Sequence, residues 1–328
     1  MNQQTGARVA VVGARGIGRH HARWWSLEGA NVCAIVGTTP ETAEEARAGL
    51  AEAIEFDGAV YTSIEELLEK EFIEIVDVCS PYRQHAEQVR QALMAGCNVV
   101  CEKPFIYDPD ASWETQMETA RELVELTKQQ HRRLAVCLQY TRAAEHVLKY
   151  WLEAKGWTPI ERLSMELRTD TYGREPDPER IWLDLAPHPL SFMHRLMPDG
   201  LVDWDTLNVE FESAEARAGF VLREPTGQSI EIDITVANTP DPGEKKREFV
   251  INDVPIQFKG SADERGVYCI RMITPDGEQC VTDFLREFIR AFLWNEATTR
   301  FGEILLNQEW TLRMLEAGRA NVKKVAGA

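Results

Sequence analysis

The sequence has neither a long apolar run nor an apolar stretch at its first residues. No run approaches the roughly 18 apolar residues that indicate a membrane-spanning helix. The first eight residues, Met1 to Arg8, carry no apolar signal-peptide core. We therefore expect a cytoplasmic protein with no membrane partner.

An excess of positive charge is also missing. The chain has 53 acidic and 36 basic residues, and its formal net charge is −17. Such a charge repels nucleic acid and anionic lipid unless a local basic patch overrides it. We expect neither partner, and we expect a small molecule as the ligand.

Metal-type pairing of cysteines is absent as well. The chain has seven cysteines, and the closest pair, Cys97 and Cys101, has no matching second pair. Free cysteine is frequently buried as a small apolar residue. We therefore interpret the cysteines as core residues of strands and expect no metal site.

The first 140 of the 328 residues alternate short apolar runs with helical stretches. The runs are rich in β-branched residues, which is typical of strands covered on both faces. Strand and helix in alternation predict a parallel, doubly wound sheet. The predicted strands are 8–12, 31–36, 73–79, 98–101 and 134–138, and the predicted helices are 20–27, 42–53, 64–68, 85–95 and 113–130.

After residue 140 apolar and polar residues alternate, in segments separated by turn-rich loops. This pattern predicts an antiparallel sheet with one face buried. The predicted strands are 161–166, 208–212, 218–222, 229–236, 248–251, 256–259 and 266–272, followed by helices 283–294 and 303–323. The sequence thus predicts a doubly wound α/β domain at 1–140 and an α+β domain with a large, mostly antiparallel open sheet at 141–328.

A glycine-rich turn connects the first predicted strand to the first helix. In a dinucleotide fingerprint, glycines let the backbone approach the pyrophosphate, and the helix N-terminus stabilises its charge. The first and third glycine positions are glycine here, whereas the middle one is arginine. We assign this turn to cofactor binding, with an ordinary structural turn as the alternative; its residues are Gly13, Arg15, Gly16, Ile17 and Gly18.

The second predicted strand ends without the acidic residue that NAD enzymes usually place about 20 residues after the glycines. Gly37 occupies that position, and Thr38 and Thr39 follow it. Their hydroxyls and backbone amides can bind a 2′-phosphate, with Arg15 or Arg19 as the cation. These residues favour NADP over NAD, and the alternative is a plain loop that admits both.

The loop after the third predicted strand is a further candidate for cofactor binding. It contains Ser80 and Pro81 and leads to His85. His85 either contacts the nicotinamide side of the cofactor or caps and packs a helix.

A lysine directly follows the predicted strand at 98–101. The carboxyl ends of strands in open α/β sheets line the crevice where ligands bind, so Glu102 and Lys103 are candidates for contact with the cofactor. Pro104 biases the residue before it toward extended geometry. Lys103 is therefore a candidate catalytic cation on a stiff support.

A second chemical group is formed by Asp184 and His188, which are four residues apart. If Pro187 takes the first position of a helix, His188 lies at a helix N-terminus, where the dipole disfavours imidazolium. The carboxylate of Asp184 favours it. Such opposed effects suit a group that exchanges a proton near neutral pH. The alternative is a structural hydrogen bond between the two residues.

Together these segments resemble the glucose-fructose oxidoreductase and inositol dehydrogenase family (Gfo/Idh/MocA). The resemblance covers nearly the whole chain and rests on the glycine turn, the Ser-Pro and histidine of 80–85, Glu-Lys-Pro at 102–104, and the aspartate four residues before a histidine. It implies an N-terminal Rossmann domain that binds NAD or NADP, and a C-terminal domain for substrate binding and oligomerisation. Arg15 and Ser191 depart from the family, which often has a glycine and an aspartate at these positions.

The resemblance implies hydride transfer between nicotinamide and a carbinol or carbonyl carbon of a sugar, sugar derivative or cyclitol. By position, Lys103 matches the family's catalytic-site lysine, His188 its proton-transferring histidine, and Asp184 the carboxylate that orients the site. Lys103 would stabilise negative charge on the substrate oxygen while His188 exchanges its proton. Candidate substrate walls, which alternatively pack the domain junction, are Tyr140, Arg142, Tyr172, Arg174 and Trp182.

Other functions stay open at this stage. A nucleotide-binding sensor or assembly subunit without turnover is motivated by Arg15 and by the prolines around His188. Within enzymes, reduction of an imine or an aromatic diol is a further possibility. Because large open sheets commonly pair between subunits in this family, we expect a homodimer or homotetramer.

Overall fold

The chain divides into two compact units in the computed structural model, which describes residues 6–296 and 298–326, with side chains as far as residue 322. Unit 1 comprises the described residues up to Cys137 together with Leu285–Gln308. Unit 2 comprises Leu138–Phe284 and the described residues from Glu309 onward. Residues 285–308, which the sequence analysis assigned to the second domain, thus pack within unit 1.

The sheet of unit 1 is parallel throughout. Its strands are β1 (Arg8–Val12), β2 (Asn31–Val36), β3 (Ala59–Tyr61), β4 (Ile75–Val78), β5 (Asn98–Cys101) and β6 (Leu134–Val136). They lie in the order β3-β2-β1-β4-β5-β6. The order reverses between β1 and β4, and such a reversal is where open α/β sheets bind ligands. The doubly wound sheet is confirmed, and β3 is the strand that the prediction missed.

The described residues form ten α-helices. Their bounds are α1 (Ile17–Leu27), α2 (Pro40–Ala51), α3 (Ile64–Lys70), α4 (His85–Met94), α5 (Trp113–Gln129), α6 (Tyr140–Lys155), α7 (Pro178–Leu185), α8 (Pro187–Leu196), α9 (Phe284–Leu293) and α10 (Phe301–Ala326). Helices α2, α3, α5 and α7 begin after a residue whose side-chain oxygen accepts a backbone N–H of the first turn. In the described ranges, no helix combines the length and the apolar character needed to cross a lipid bilayer.

The sheet of unit 2 has eight strands. They are β7 (Arg162–Asp170), β8 (Leu201–Glu212), β9 (Glu215–Arg223), β10 (Ser229–Thr239), β11 (Lys246–Ile251), β12 (Val254–Ala262), β13 (Tyr268–Thr274) and β14 (Gly277–Thr282). Their order is β14-β13-β12-β11-β7-β10-β9-β8, and β7 and β10 are the one parallel pair. The predicted large, mostly antiparallel sheet is confirmed.

One face of this sheet forms the core of unit 2. In β10, Ile230, Ile232 and Ile234 are buried, and the residues between them are exposed, as expected for a sheet with one covered face. Phe249 of β11 contacts the ring of Phe192 on α8 at a centroid distance of 4.8 Å. The core therefore packs α8 against the apolar face of the sheet.

The cysteines follow the prediction in part. Five free cysteines are buried, at positions 33, 79, 97, 101 and 137. Cys269 and Cys280 form a disulfide between neighbouring strands β13 and β14. The interpretation of all seven as free core residues was wrong for this pair, because antiparallel neighbours bring two distant sequence positions side by side.

Candidate functional site

The glycine turn between β1 and α1 needs glycine at two positions for steric reasons. Gly13 has a φ of +86°, and a Cβ there would lie 2.7 Å from the carbonyl oxygen of Cys79. A Cβ on Gly18 would collide with the carbonyl oxygen of Gly13. A Cβ on Gly16 would meet nothing within 4 Å. The turn therefore keeps open space next to Gly16 and close backbone packing at its two ends.

This turn leads into a helix N-terminus that can receive an anion. Gly16 is the N-cap of α1, no side chain in the described part of the chain caps it, and the first turn has no acidic residue. Ile17, the first helical residue, is 42% exposed. The first N–H groups of a helix lack intrahelical partners and carry the positive end of the helix dipole. The turn thus fits the diphosphate of a dinucleotide.

Arg15, at the middle glycine position, extends its side chain toward α2. Its Nη1 lies 3.0 Å from Oε2 of Glu45, and both side chains are more than half exposed. The pair is solvated, so its own contribution to stability is small. The guanidinium is therefore available at the surface between the glycine turn and α2.

The end of β2 is organised by packing and by a helix cap. A Cβ on Gly37 would lie 2.6 Å from the backbone nitrogen of Ala43, so glycine permits the close approach of α2. Thr39 is the N-cap of α2, and its hydroxyl accepts the N–H of Thr42. The hydroxyl of Thr38 lies 3.2 Å from that of Thr42. Thr39 therefore has a structural role, which the sequence analysis did not consider.

The structure favours the packing interpretation of His85. Its Nδ1 lies 3.0 Å from the carbonyl oxygen of Pro104 and its Nε2 lies 2.9 Å from that of Ser80. The side chain is buried, and burial lowers the pKa of His85. The hydroxyl of Ser80 donates to Gln88 at 2.6 Å, and the exposed Pro81 precedes a short 3-10 turn at Tyr82–Gln84. His85 thus ties two loops of unit 1 together.

Lys103 follows β5 at the same sheet edge as the glycine turn. Its backbone N–H donates to Oε2 of Glu102 at 3.2 Å, and its side chain is partly buried. The peptide bond to Pro104 is cis, which the sequence analysis did not anticipate. Lys103 thus lies where the fold binds ligands.

In unit 2, His188 lies in the first turn of α8. Pro187 opens the helix, which confirms that part of the prediction. The imidazole of His188 lies against the ring of Tyr140, with a centroid distance of 4.7 Å. The hydroxyl of Ser191 donates to the carbonyl oxygen of His188 at 2.8 Å. These contacts hold the imidazole at a helix N-terminus against an aromatic ring.

Two further predicted residues lie in the loop between β7 and α7, and Asp184 lies in the last turn of α7. Arg174 and Asp184 form a partly exposed ion pair, with 3.8 Å between Nη1 and Oδ2. Tyr172 is 76% exposed, and its backbone N–H donates to Oδ1 of Asp170. These side chains remain accessible from solvent.

Two of the predicted substrate walls have other surroundings. Trp182 is fully buried, and its indole N–H donates to the carbonyl oxygen of Thr311 at 3.0 Å. It is a core residue of unit 2, which favours the alternative that it packs within the protein. Arg142 forms an ion pair with Glu145 at 2.9 Å and is mostly buried.

Sequence reasoning missed Arg247 on β11. Interaction with Tyr140 is the main cause that raises the pKa of Arg247, and Tyr268 and Asp283 add to it. Arg247 therefore lies near Tyr140, whose ring contacts His188. Its position in an alternating strand carried no sign of this, because Tyr140, Tyr268 and Asp283 lie in other segments of unit 2.

Sequence reasoning also missed a buried polar cluster below Lys103. His21 of α1 lies between Asp77 of β4 and Glu102, and Trp25 donates to Asp77 at 2.6 Å. A histidine three residues after Gly18 on a helix packed against the sheet was the available signal.

The comparison with known families concerns the part of the chain that forms unit 1. Residues 7–138 match the model of the Gfo/Idh/MocA oxidoreductase family with its NAD-binding Rossmann fold. Over these residues the chain is similar to this family. The strand order and the glycine turn of unit 1 are features of such an NAD-binding Rossmann fold.

Two curated relatives are named as a cyclitol and a sugar dehydrogenase. An inositol 2-dehydrogenase of Streptomyces avermitilis is 38% identical over 103 residues, which cover 30% of this chain and 28% of the relative. A D-glucoside 3-dehydrogenase of Escherichia coli is 34% identical over 137 residues, which cover 41% of this chain and 38% of the relative. The chain thus spans less than half the length of these two relatives.

Solved structures share the fold over nearly the full chain. Scyllo-inositol dehydrogenase from Lactobacillus casei has a TM-score of 0.71 at 15% identity, covering 97% of this chain and 98% of the other. Levoglucosan dehydrogenase in complex with NADH and levoglucosan has a TM-score of 0.69 at 15% identity, covering 96% and 97%. Because the sequence identity is this low, the likeness shows only that the fold is shared, and this holds for unit 2 as well as unit 1.

Proposed function

We propose that the protein is an NAD(P)-dependent oxidoreductase that acts on a carbinol or carbonyl carbon of a sugar, sugar derivative or cyclitol. The observation that carries this proposal is the uncapped N-terminus of α1 behind a glycine turn, at the reversal of strand order between β1 and β4. The names of the curated relatives support the substrate class.

Each residue of the proposed site has a defined task. The backbone N–H groups at the start of α1 bind the diphosphate, and Gly16 leaves space for it. A bound nicotinamide supplies the hydride acceptor or donor. The ammonium of Lys103 stabilises negative charge that develops on the substrate oxygen. His188 exchanges the proton of that oxygen.

Accessible side chains of unit 2 bind the rest of the substrate in this proposal. Asp184 and Arg174 are partly exposed and supply a carboxylate and a guanidinium for substrate hydroxyls. Tyr172 supplies an exposed aromatic face. These side chains suit a neutral polyhydroxylated ring, because its hydroxyls can accept hydrogen bonds from the guanidinium and donate them to the carboxylate.

A panel of substrates tests the proposal. The purified chain is mixed with oxidised NAD or NADP and with inositols, glucosides and nucleotide-free sugars, and reduced nicotinamide is followed by its absorbance. We expect turnover with at least one cyclic polyol. Tight dinucleotide binding without turnover on the panel in either direction would instead indicate a sensor or assembly subunit.

We further propose that NADP is preferred, since Gly37 stands where NAD enzymes place an acid and Arg15 lies at the adjacent surface. Replacing Arg15 by alanine is expected to weaken NADPH binding about 10-fold and to leave NADH binding unchanged, because an exposed arginine–phosphate contact is worth about 1–2 kcal/mol. Arg47→Ala is the matched control, because Arg47 is also an exposed arginine that pairs with a glutamate of α2, namely Glu44. Equal losses for both cofactors, measured by calorimetry, would contradict the preference.

The protein is also proposed to be a cytoplasmic homodimer or homotetramer. The large sheet of unit 2 offers the kind of face that pairs between subunits in this family. Light scattering at micromolar concentration is expected to give at least twice the chain mass of 37.3 kDa, and a monomeric mass would contradict the proposal.

A further inference from the structure

The polar cluster in the core of unit 1 is almost completely closed to solvent. The side chains of His21 and Asp77 are 0% exposed, and that of Glu102 is 8% exposed. Nδ1 of His21 lies 2.9 Å from Oδ2 of Asp77, and Nε2 lies 3.0 Å from Oε1 of Glu102. One imidazole therefore bridges two buried carboxyl groups.

The other oxygens of the two carboxyl groups have partners of their own. Oδ2 of Asp77 also accepts the indole N–H of Trp25 at 2.6 Å, and Oδ1 accepts the thiol of Cys79 at 3.5 Å. Oε2 of Glu102 accepts the backbone N–H of Lys103 at 3.2 Å. Each of the four oxygens therefore lies within reach of a group that can donate a hydrogen bond.

A neutral imidazole donates only one hydrogen bond, whereas imidazolium donates two. His21 satisfies both carboxylates only as imidazolium. Burial pulls the pKa of His21 down, but the charge of Asp77 and the hydrogen bond to it hold that pKa well above its ordinary value. The other titratable groups that face His21 are Cys79, Glu102 and Cys137, at the ends of β4, β5 and β6.

We propose that His21 is a positioning residue that acts as a permanent buried cation and fixes Glu102, so that Glu102 holds the backbone of Lys103 in place. The path runs from Nε2 of His21 through the two oxygens of Glu102 to the N–H of Lys103. This inference rests on the proposed function in one respect, namely that Lys103 touches the substrate oxygen. The cluster connects α1, which begins at the glycine turn, with the lysine loop after β5.

Two measurements on the dinucleotide-free protein test the proposal without any assay of activity. Nitrogen NMR of labelled histidine is expected to show both ring nitrogens of His21 protonated from about pH 6 to about pH 8. Hydrogen exchange of the Lys103 amide is expected to accelerate at least 10-fold in His21→Gln relative to the amides of Val99 and Val100. Trp25→Phe is the matched control, because it removes a neutral donor to Asp77 and leaves the path to Lys103 intact.

If His21→Gln does not fold, Glu102→Gln replaces it, with the same acceleration expected at the Lys103 amide. A neutral imidazole at pH 7, or exchange at Lys103 that changes no more than at Val99 and Val100, overturns the proposal. Where a substrate is found, His21→Gln is expected to lower kcat at least 10-fold with the Kd of the dinucleotide unchanged. Absence of turnover with every substrate would contradict the proposed function. It would not affect the NMR result for His21 or the hydrogen-exchange result for Lys103, because neither measurement needs a substrate.

Discussion

Replacing Lys103 by methionine is expected to lower kcat about 100- to 1,000-fold, which is the loss that follows removal of one donor to a developing oxyanion. Methionine keeps the length and most of the volume of the side chain and removes its charge. Dinucleotide binding is expected to stay within about twofold, because the diphosphate is bound at the start of α1 in this account. Steady-state kinetics and calorimetry measure the two quantities separately.

Lys128→Met is the matched control for this variant. Lys128 lies in unit 1 on α5, and its amine forms an ion pair with Glu125 at the surface. Lys128→Met, like Lys103→Met, removes one positive charge from unit 1, but Lys128 is not part of the proposed site. A Lys103→Met variant that retains the kcat of Lys128→Met would show that Lys103 does not take part in the reaction.

Gly13 and Gly16 are expected to respond to alanine in opposite ways. Gly13→Ala should destabilise the protein by at least about 2 kcal/mol, because alanine is strained at a positive φ and its Cβ would collide with the carbonyl of Cys79. Gly16→Ala should change stability by less than about 0.5 kcal/mol, since a Cβ there meets no neighbour. Denaturant unfolding measures both.

Gly16→Ala is nevertheless expected to weaken dinucleotide binding about 100-fold or more. Its Cβ would occupy the space next to the helix N-terminus that receives the diphosphate. The expected loss corresponds to about 3 kcal/mol, which is the contribution of one or two charge-assisted hydrogen bonds. Folded Gly16→Ala that binds the dinucleotide as wild type does would place the diphosphate elsewhere. Normal stability of Gly13→Ala would contradict the geometry of the turn.

The sequence predicted the elements that depend on local pattern. The strands of unit 1 are short β-branched runs between helices, and β1, β2 and β5 form with the predicted bounds. The three-residue strand β3 and the edge strand β14 were missed, because short edge strands carry too little apolar pattern. Helix α6 was missed, although seven of its 16 residues are buried.

The candidate site was predictable where a motif names a backbone requirement. At Gly13 and Gly18 a Cβ would collide with backbone atoms, so both positions require glycine, as the fingerprint predicts. The surroundings of Trp182 and His85 were not predictable, because each depends on contacts with residues far away in the sequence. The same reason hid His21, whose partners lie 56 and 81 residues further along the chain.

A crystal structure of the protein soaked with NADP or NAD tests the central claim most directly. The account predicts that the diphosphate contacts the backbone N–H groups at the start of α1, beside Gly16, and that the nicotinamide ring lies next to the ammonium of Lys103. A diphosphate bound away from the glycine turn, or a nicotinamide ring remote from Lys103, would contradict it.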